Sequence, residues 1–151
     1  MPTLKDQLRT DLTAAMKARD ETRTRALRMA LTSISTEEVS GAIAHELSDD
    51  DVIKIIGREA KRRREAAAAF ADAGRAEQAA AEQAEEKVLT GYLPAQLEDA
   101  ELSAIVAAAI AQTGASGPAG IGQVMRVVTP QVAGRAEGSR VAAMVRSQLG
   151  S

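Results

Sequence analysis

The chain of 151 residues has the length of one ordinary domain or two small lobes, and it carries a net charge of −2 with no cysteine, no tryptophan, one phenylalanine and one tyrosine. The cysteine count excludes a disulfide framework, a thiolate metal site and a thiol nucleophile, and the charge offers no global attraction to nucleic acid, so any RNA binding must come from a local patch. Hydrophobic residues make up 45% but lean on alanine, which favours helices, while the β-branched and aromatic residues that strands prefer are scarce in most of the chain; the expected fold class is all-α.

Leu4, Leu8, Leu12 and Met16 recur at helical spacing after Thr3, a good N-cap, and predict a first helix. Asp20 caps a second, with Leu27, Leu31 and Ile34 on one face and Gly41 as a left-handed stop. Ser48 followed by Asp49, Asp50 and Asp51 reads as the start of a third helix, its acids complementing the helix dipole, with Val52, Ile55 and Ile56 opening the buried face. That helix continues through Phe70. After the Ala73-Gly74 break, a fourth rich in Ala and Glu runs from about Arg75 to Leu89.

Gly91-Tyr92-Leu93-Pro94 interrupts the pattern, because glycine suits a helix end and Pro94 biases Leu93 toward extended backbone. The lobe boundary is placed here, giving an N-terminal helical hairpin or bundle lobe over 1–92 and a small three-helix lobe over 93–151. In the second lobe Leu102, Ile105, Val106, Ala109 and Ile110 predict an amphipathic helix ended by Gly114. Pro118 suits the first turn of the next, which carries Ile121, Val124, Met125 and Val128, and Thr129-Pro130 is expected to bend or shorten it. Ser139 is the expected cap of a last helix holding Val141, Met144, Val145 and Leu149.

The chemistry-bearing residues are few. Gly117 to Gly122 has no preceding strand and no following Gly-Lys-Ser/Thr, so neither a P-loop nor a dinucleotide turn is read there. His45 is the only imidazole and falls in a loop, and Asp49 to Asp51 point in different directions from a helix start; no catalytic residue, metal site or cofactor is expected. Two cationic groups stand out. Lys54, Arg58, Lys61 and Arg62 share one stripe of the third helix, and Arg126, Arg135, Arg140 and Arg146 lie in the second lobe. Each suits either phosphate contact or a solvated, ion-paired surface such as Lys61 with Glu65. With so few aromatics to stack on bases, structured RNA fits the pattern better than single strands.

Arg28-Met29, Tyr92-Leu93-Pro94 with Gln96-Leu97, the run Gly122, Gln123, Val124 and Met125, then Pro130-Gln131-Val132, and finally Gly134-Arg135-Ala136 together resemble the GatB/YqeY family over nearly the whole chain. Its free-standing YqeY-like members are similar to the C-terminal tail of GatB, a subunit of the tRNA-dependent amidotransferase. The sequence departs from that tail at Glu137-Gly138, where Asn-Pro is common. The resemblance implies a non-catalytic, tRNA-associated accessory module, with tRNA and the aminoacyl-tRNA or amidotransferase machinery as partners. A protein-interaction scaffold for those components is the alternative, and a carbon-nitrogen ligase using glutamine as amido donor a further one, although no amidase Ser-Lys arrangement or nucleotide site is seen. The charged first turns, with Lys5, Asp6, Arg9 and Asp11, and an apolar run no longer than Ala104 to Ala111 lead to the expectation of a cytoplasmic protein without a membrane span.

Overall fold

A computed structural model describes residues 2–150, and these form helices and no strands. The chain divides between Leu93 and Pro94 into two compact units, each with its own apolar core.

The first unit contains α1 (Leu4–Lys17), α2 (Glu21–Glu38), α3 (Asp49–Asp72) and α4 (Ala76–Thr90). Thr3 and Asp6 cap α1 reciprocally, the Thr3 hydroxyl accepting from the Asp6 amide while the Asp6 carboxylate accepts from the Thr3 amide. These bonds hold the Asp6 carboxyl below its usual range. Asp20 and Ser48 cap α2 and α3 as the sequence predicts. The core joins Leu8, Leu27, Ile34, Val52, Ile56 and Leu89, with alanines such as Ala26, Ala30 and Ala60 letting the helices approach closely.

Two details of the first unit differ from expectation. Met16 is exposed and Ala15 is buried instead, because steps of four residues advance about 40° around a helix and carry Met16 off the line begun at Leu4 and Leu8. The second helix stops at Glu38 rather than at a left-handed Gly41. Glu38 is tied three ways there: its carbonyl accepts from the His45 amide, and its carboxylate accepts from Lys5 Nζ and the Leu47 amide. The Lys5 bond, more than the Leu47 amide, pulls the Glu38 carboxyl below its ordinary range.

The second unit contains α5 (Asp99–Thr113), a 3-10 turn (Pro118–Gly120), α6 (Ile121–Val132) and α7 (Gly138–Leu149). Leu102, Val106, Val124, Val128, Val141 and Val145 fill its core. Gly114 ends α5 in left-handed conformation, as predicted. Pro130 does not shorten α6, which continues to Val132; its missing amide falls in the last turn, on the exposed side. Ser139 is not the cap of α7. Glu137, with extended backbone, takes that place, its carbonyl accepting from the Val141 amide at 3.0 Å. Among the described residues no single helix is long and apolar enough to cross a membrane.

Candidate functional site

Unit by unit, the cationic residues singled out from the sequence have different fates. On α3 a spacing of four, seven and eight residues from Lys54 returns Arg58, Lys61 and Arg62 to within about 80° of it around the helix axis. The buried residues Val52, Ile56, Glu59 and Ala60 lie on the other side of the helix, with Ile55 at the border beside the position of Arg62, and all four cations are exposed. Lys61 lies 4.0 Å from Glu65, and Arg62 donates to Glu59 at 3.1 Å. Lys54 and Arg58 make no ion pair among the described residues. The stripe predicted from the sequence is thus one continuous solvent-facing surface, with its free cations toward the N-terminal half of the helix.

The C-terminal arginines are not gathered in this way. Arg126 projects from α6 on the side away from Val124 and Val128 and is exposed. Arg140 donates to Asp99 at 2.6 Å. Arg146 lies six residues further along α7, about 120° away around that helix, so the two cannot share one narrow stripe.

Arg135 stands at the corner between α6 and α7, where Gly134 adopts φ 75°, a left-handed conformation that a side chain strains. The backbone of Arg135 is held at both ends: its amide donates to the Val132 carbonyl at 2.8 Å, and its carbonyl accepts from the Leu97 amide at 2.8 Å. Gln96 Nε2 also donates to the Gly134 carbonyl at 3.0 Å. The Gln96-Leu97 and Gly134-Arg135 motifs, far apart in sequence, are therefore two sides of one hydrogen-bonded corner, and the half-exposed Arg135 side chain leaves from it. Gly122 is exposed on α6, while Val124 is buried and Met125 and Ala136 pack at the core edge. In the glycine-rich segment before α6, Gly120 serves close approach: a Cβ there would sit 2.7 Å from Ala115 Cβ.

Two buried polar clusters in the first unit were not legible beforehand. Glu59, Glu82 and Glu85 surround the Arg63 guanidinium at 3.4–3.8 Å. Ser33 donates to Glu59 at 2.8 Å, and Arg25 reaches Glu85 at 3.6 Å. Burial, with the nearby Glu82 charge, pushes the Glu85 carboxyl above its ordinary value against the pull of Arg63 and Arg25. At the end of α4, the Tyr92 hydroxyl donates to Asp11 at 2.5 Å and accepts from Arg23 at 3.0 Å. The Arg23 guanidinium carbon lies 5.9 Å from the Tyr92 ring centre. Burial and the bond to Asp11 push the phenol well above its ordinary range, so it remains a donor. Such contacts join residues 81 and 69 positions apart, which no local spacing reveals.

The Tyr92 arrangement is structural in character. Tyr92→Phe is expected to lower stability by about 1.5 kcal/mol, since a charge-assisted hydrogen bond is lost and Asp11 keeps the 2.9 Å bond from Gln7 and the 3.7 Å pair with Arg23. Urea unfolding of the two proteins measures this as a lower midpoint at unchanged slope.

Among the described residues no group of three or more His, Asp or Glu side chains is arranged to hold a metal ion. No curated protein matches the chain with significance. The Yqey-like protein family matches residues 5–149, which takes in both cores and the Gln96-Leu97 and Gly134-Arg135 corner, and the chain belongs to that family.

Proposed function

We propose that the protein is a non-catalytic accessory module that binds folded tRNA and serves the aminoacyl-tRNA or amidotransferase machinery. The observation that carries this reading is the Gly134-Arg135 corner. Gly134 in left-handed conformation and the paired Arg135 backbone present one guanidinium from a fixed point, in a motif similar to that of the GatB tail. Arg126 adds a second exposed cation in the same unit. Arg140, spent on Asp99, contributes less.

Phosphate contacts position a protein without reading sequence, so binding is expected to be weak, salt-dependent and similar across tRNA species. Titration with bulk folded tRNA at low and moderate salt tests this. Arg135→Glu is expected to weaken binding by about tenfold on every tRNA, as loss of one contact and gain of a repulsive charge cost about 1.4 kcal/mol. Gly134→Val should lose affinity similarly through the displaced corner, with backbone strain of about 1–3 kcal/mol seen on unfolding. Absence of any wild-type binding at low salt, together with recovery of a stoichiometric protein partner from nuclease-treated lysate, would leave the scaffold reading in place.

A further inference from the structure

We infer that the outer face of α3 is a second, independent docking surface, built for the phosphate backbone of a structured RNA; the inference rests on the tRNA reading above and assigns it a different part of the molecule. The argument begins with the contrast among the cations of one helix. Arg63 turns inward and is surrounded by Glu59, Glu82 and Glu85, a structural use that leaves it only 13% exposed. Lys54, Arg58, Lys61 and Arg62 turn outward, and the first two make no ion pair among the described residues, although Asp50 and Asp51 lie one turn before Lys54. An exposed lysine or arginine without an ion pair keeps its charged head in water, at the disposal of a ligand.

The spacing suits a linear polyanion. From Lys54 to Arg62 the helix rises about 12 Å, in steps of about 6 Å between Lys54 and Arg58 and between Arg58 and Arg62. At about 3.4 Å of axis per phosphate on one strand of a B-form duplex, and less in the more compact A-form of RNA, that length covers at least about three phosphates. A compact anion such as a single carboxylate would engage one of these positions, whereas a nucleic-acid strand laid along the helix engages several. The N-terminal acids Asp50 and Asp51 lie at one end of the stripe and Glu65 at the other, which limits the contact to this length and disfavours continuous coating of the surface by polyanion. The occupant is therefore a short stretch of backbone in a folded RNA, read by charge and shape without base contacts.

The test uses the full chain and bulk folded tRNA, titrated over a range of salt concentrations. Three proteins are compared: the wild type, a Lys54→Gln/Arg58→Gln/Lys61→Gln variant, and an Arg126→Gln/Arg135→Gln variant. The first three substitutions are all exposed and leave Arg62 with Glu59, so the thermal midpoint should not move. Loss of three contacts is expected to lower affinity at least tenfold at low salt, and to reduce the slope of log affinity against log salt by about 2. A stripe variant that binds like the wild type, while the Arg126/Arg135 variant loses binding, overturns the α3 surface and leaves the function standing. A wild type that fails to bind tRNA at low salt overturns both.

Discussion

Arg63→Met is expected to destabilise the first unit by about 3 kcal/mol at neutral pH. The side chain volume is nearly kept, so what is lost is charge. Glu59 and Glu85 are both buried, and Glu82 is 25% exposed; without the guanidinium three carboxylates face one another with only Arg25, Arg62 and Ser33 left to compensate. Arg25 and Arg62 are themselves 62% and 61% exposed, so solvent screens much of what they offer. The pH dependence has a definite sign. Glu85 in the folded protein already titrates above its ordinary value of 4.5, and Arg63 is the larger of the two charges that hold it down. Removing Arg63 raises the folded-state pKa further. A group with a raised folded pKa binds protons more tightly in the native state, so stability falls as pH rises through that pKa and is regained below it. The deficit of Arg63→Met relative to wild type should therefore shrink as pH is lowered from 7 toward 4.5. Denaturant midpoints measured across that window decide the matter; a deficit that is flat with pH would mean that lost packing, not uncompensated charge, is the cause.

The parts of the structure that local patterns govern were legible in the sequence. Thr3, Asp20 and Ser48 cap their helices because a short polar side chain satisfies a nearby amide, and no distant contact is needed for that. Gly114 ends α5 for a comparable local reason. The α3 stripe was legible too, since a regular helix converts spacing directly into direction. Where the outcome depended on remote partners, local rules failed. The end of α2 is set by Lys5 and by the returning chain at His45 and Leu47, not by the nearby glycine. Arg126, Arg135, Arg140 and Arg146 look like one cluster along the chain, yet an engaged Asp99 partner and helix phase separate their roles. Arg63 follows directly on the stripe residue Arg62, yet in three dimensions it belongs to the buried side, because one further residue along a helix turns about 100°. Nothing local distinguishes Glu59, Glu82 and Glu85 from the solvated glutamates around them, and only packing of α3 against α4 makes them partners of one arginine.

Leu102→Ala is expected to unfold the second unit while leaving the first intact. Leu102 is fully buried and packs in a valine-rich core, Val106, Val124, Val128, Val141 and Val145 among its members, together with the buried Leu97 and Leu149. Deleting a fully buried leucine side chain costs about 3 kcal/mol from lost transfer energy and from the cavity left behind. Rigid β-branched neighbours on short helices cannot swing in to fill the space, so relaxation recovers little. A unit of this size buries a modest core and has only a few kcal/mol to lose. The other core, from Leu8 to Leu89, shares no buried residue with it. Hydrogen exchange should therefore show lost protection along α5, α6 and α7, with amides of α2 and α3 exchanging as in the wild type. A reciprocal result is expected for Arg63→Met, whose loss belongs to α3 and α4. Uniform loss of protection over both units on Leu102→Ala would mean that they fold as one cooperative body and that the two-unit description has no thermodynamic counterpart. If they do unfold separately, the corner at Gly134-Arg135 is lost with the second unit while the α3 stripe survives on the first, and the same variant then offers an RNA titration in which the α3 surface is the folded site that remains.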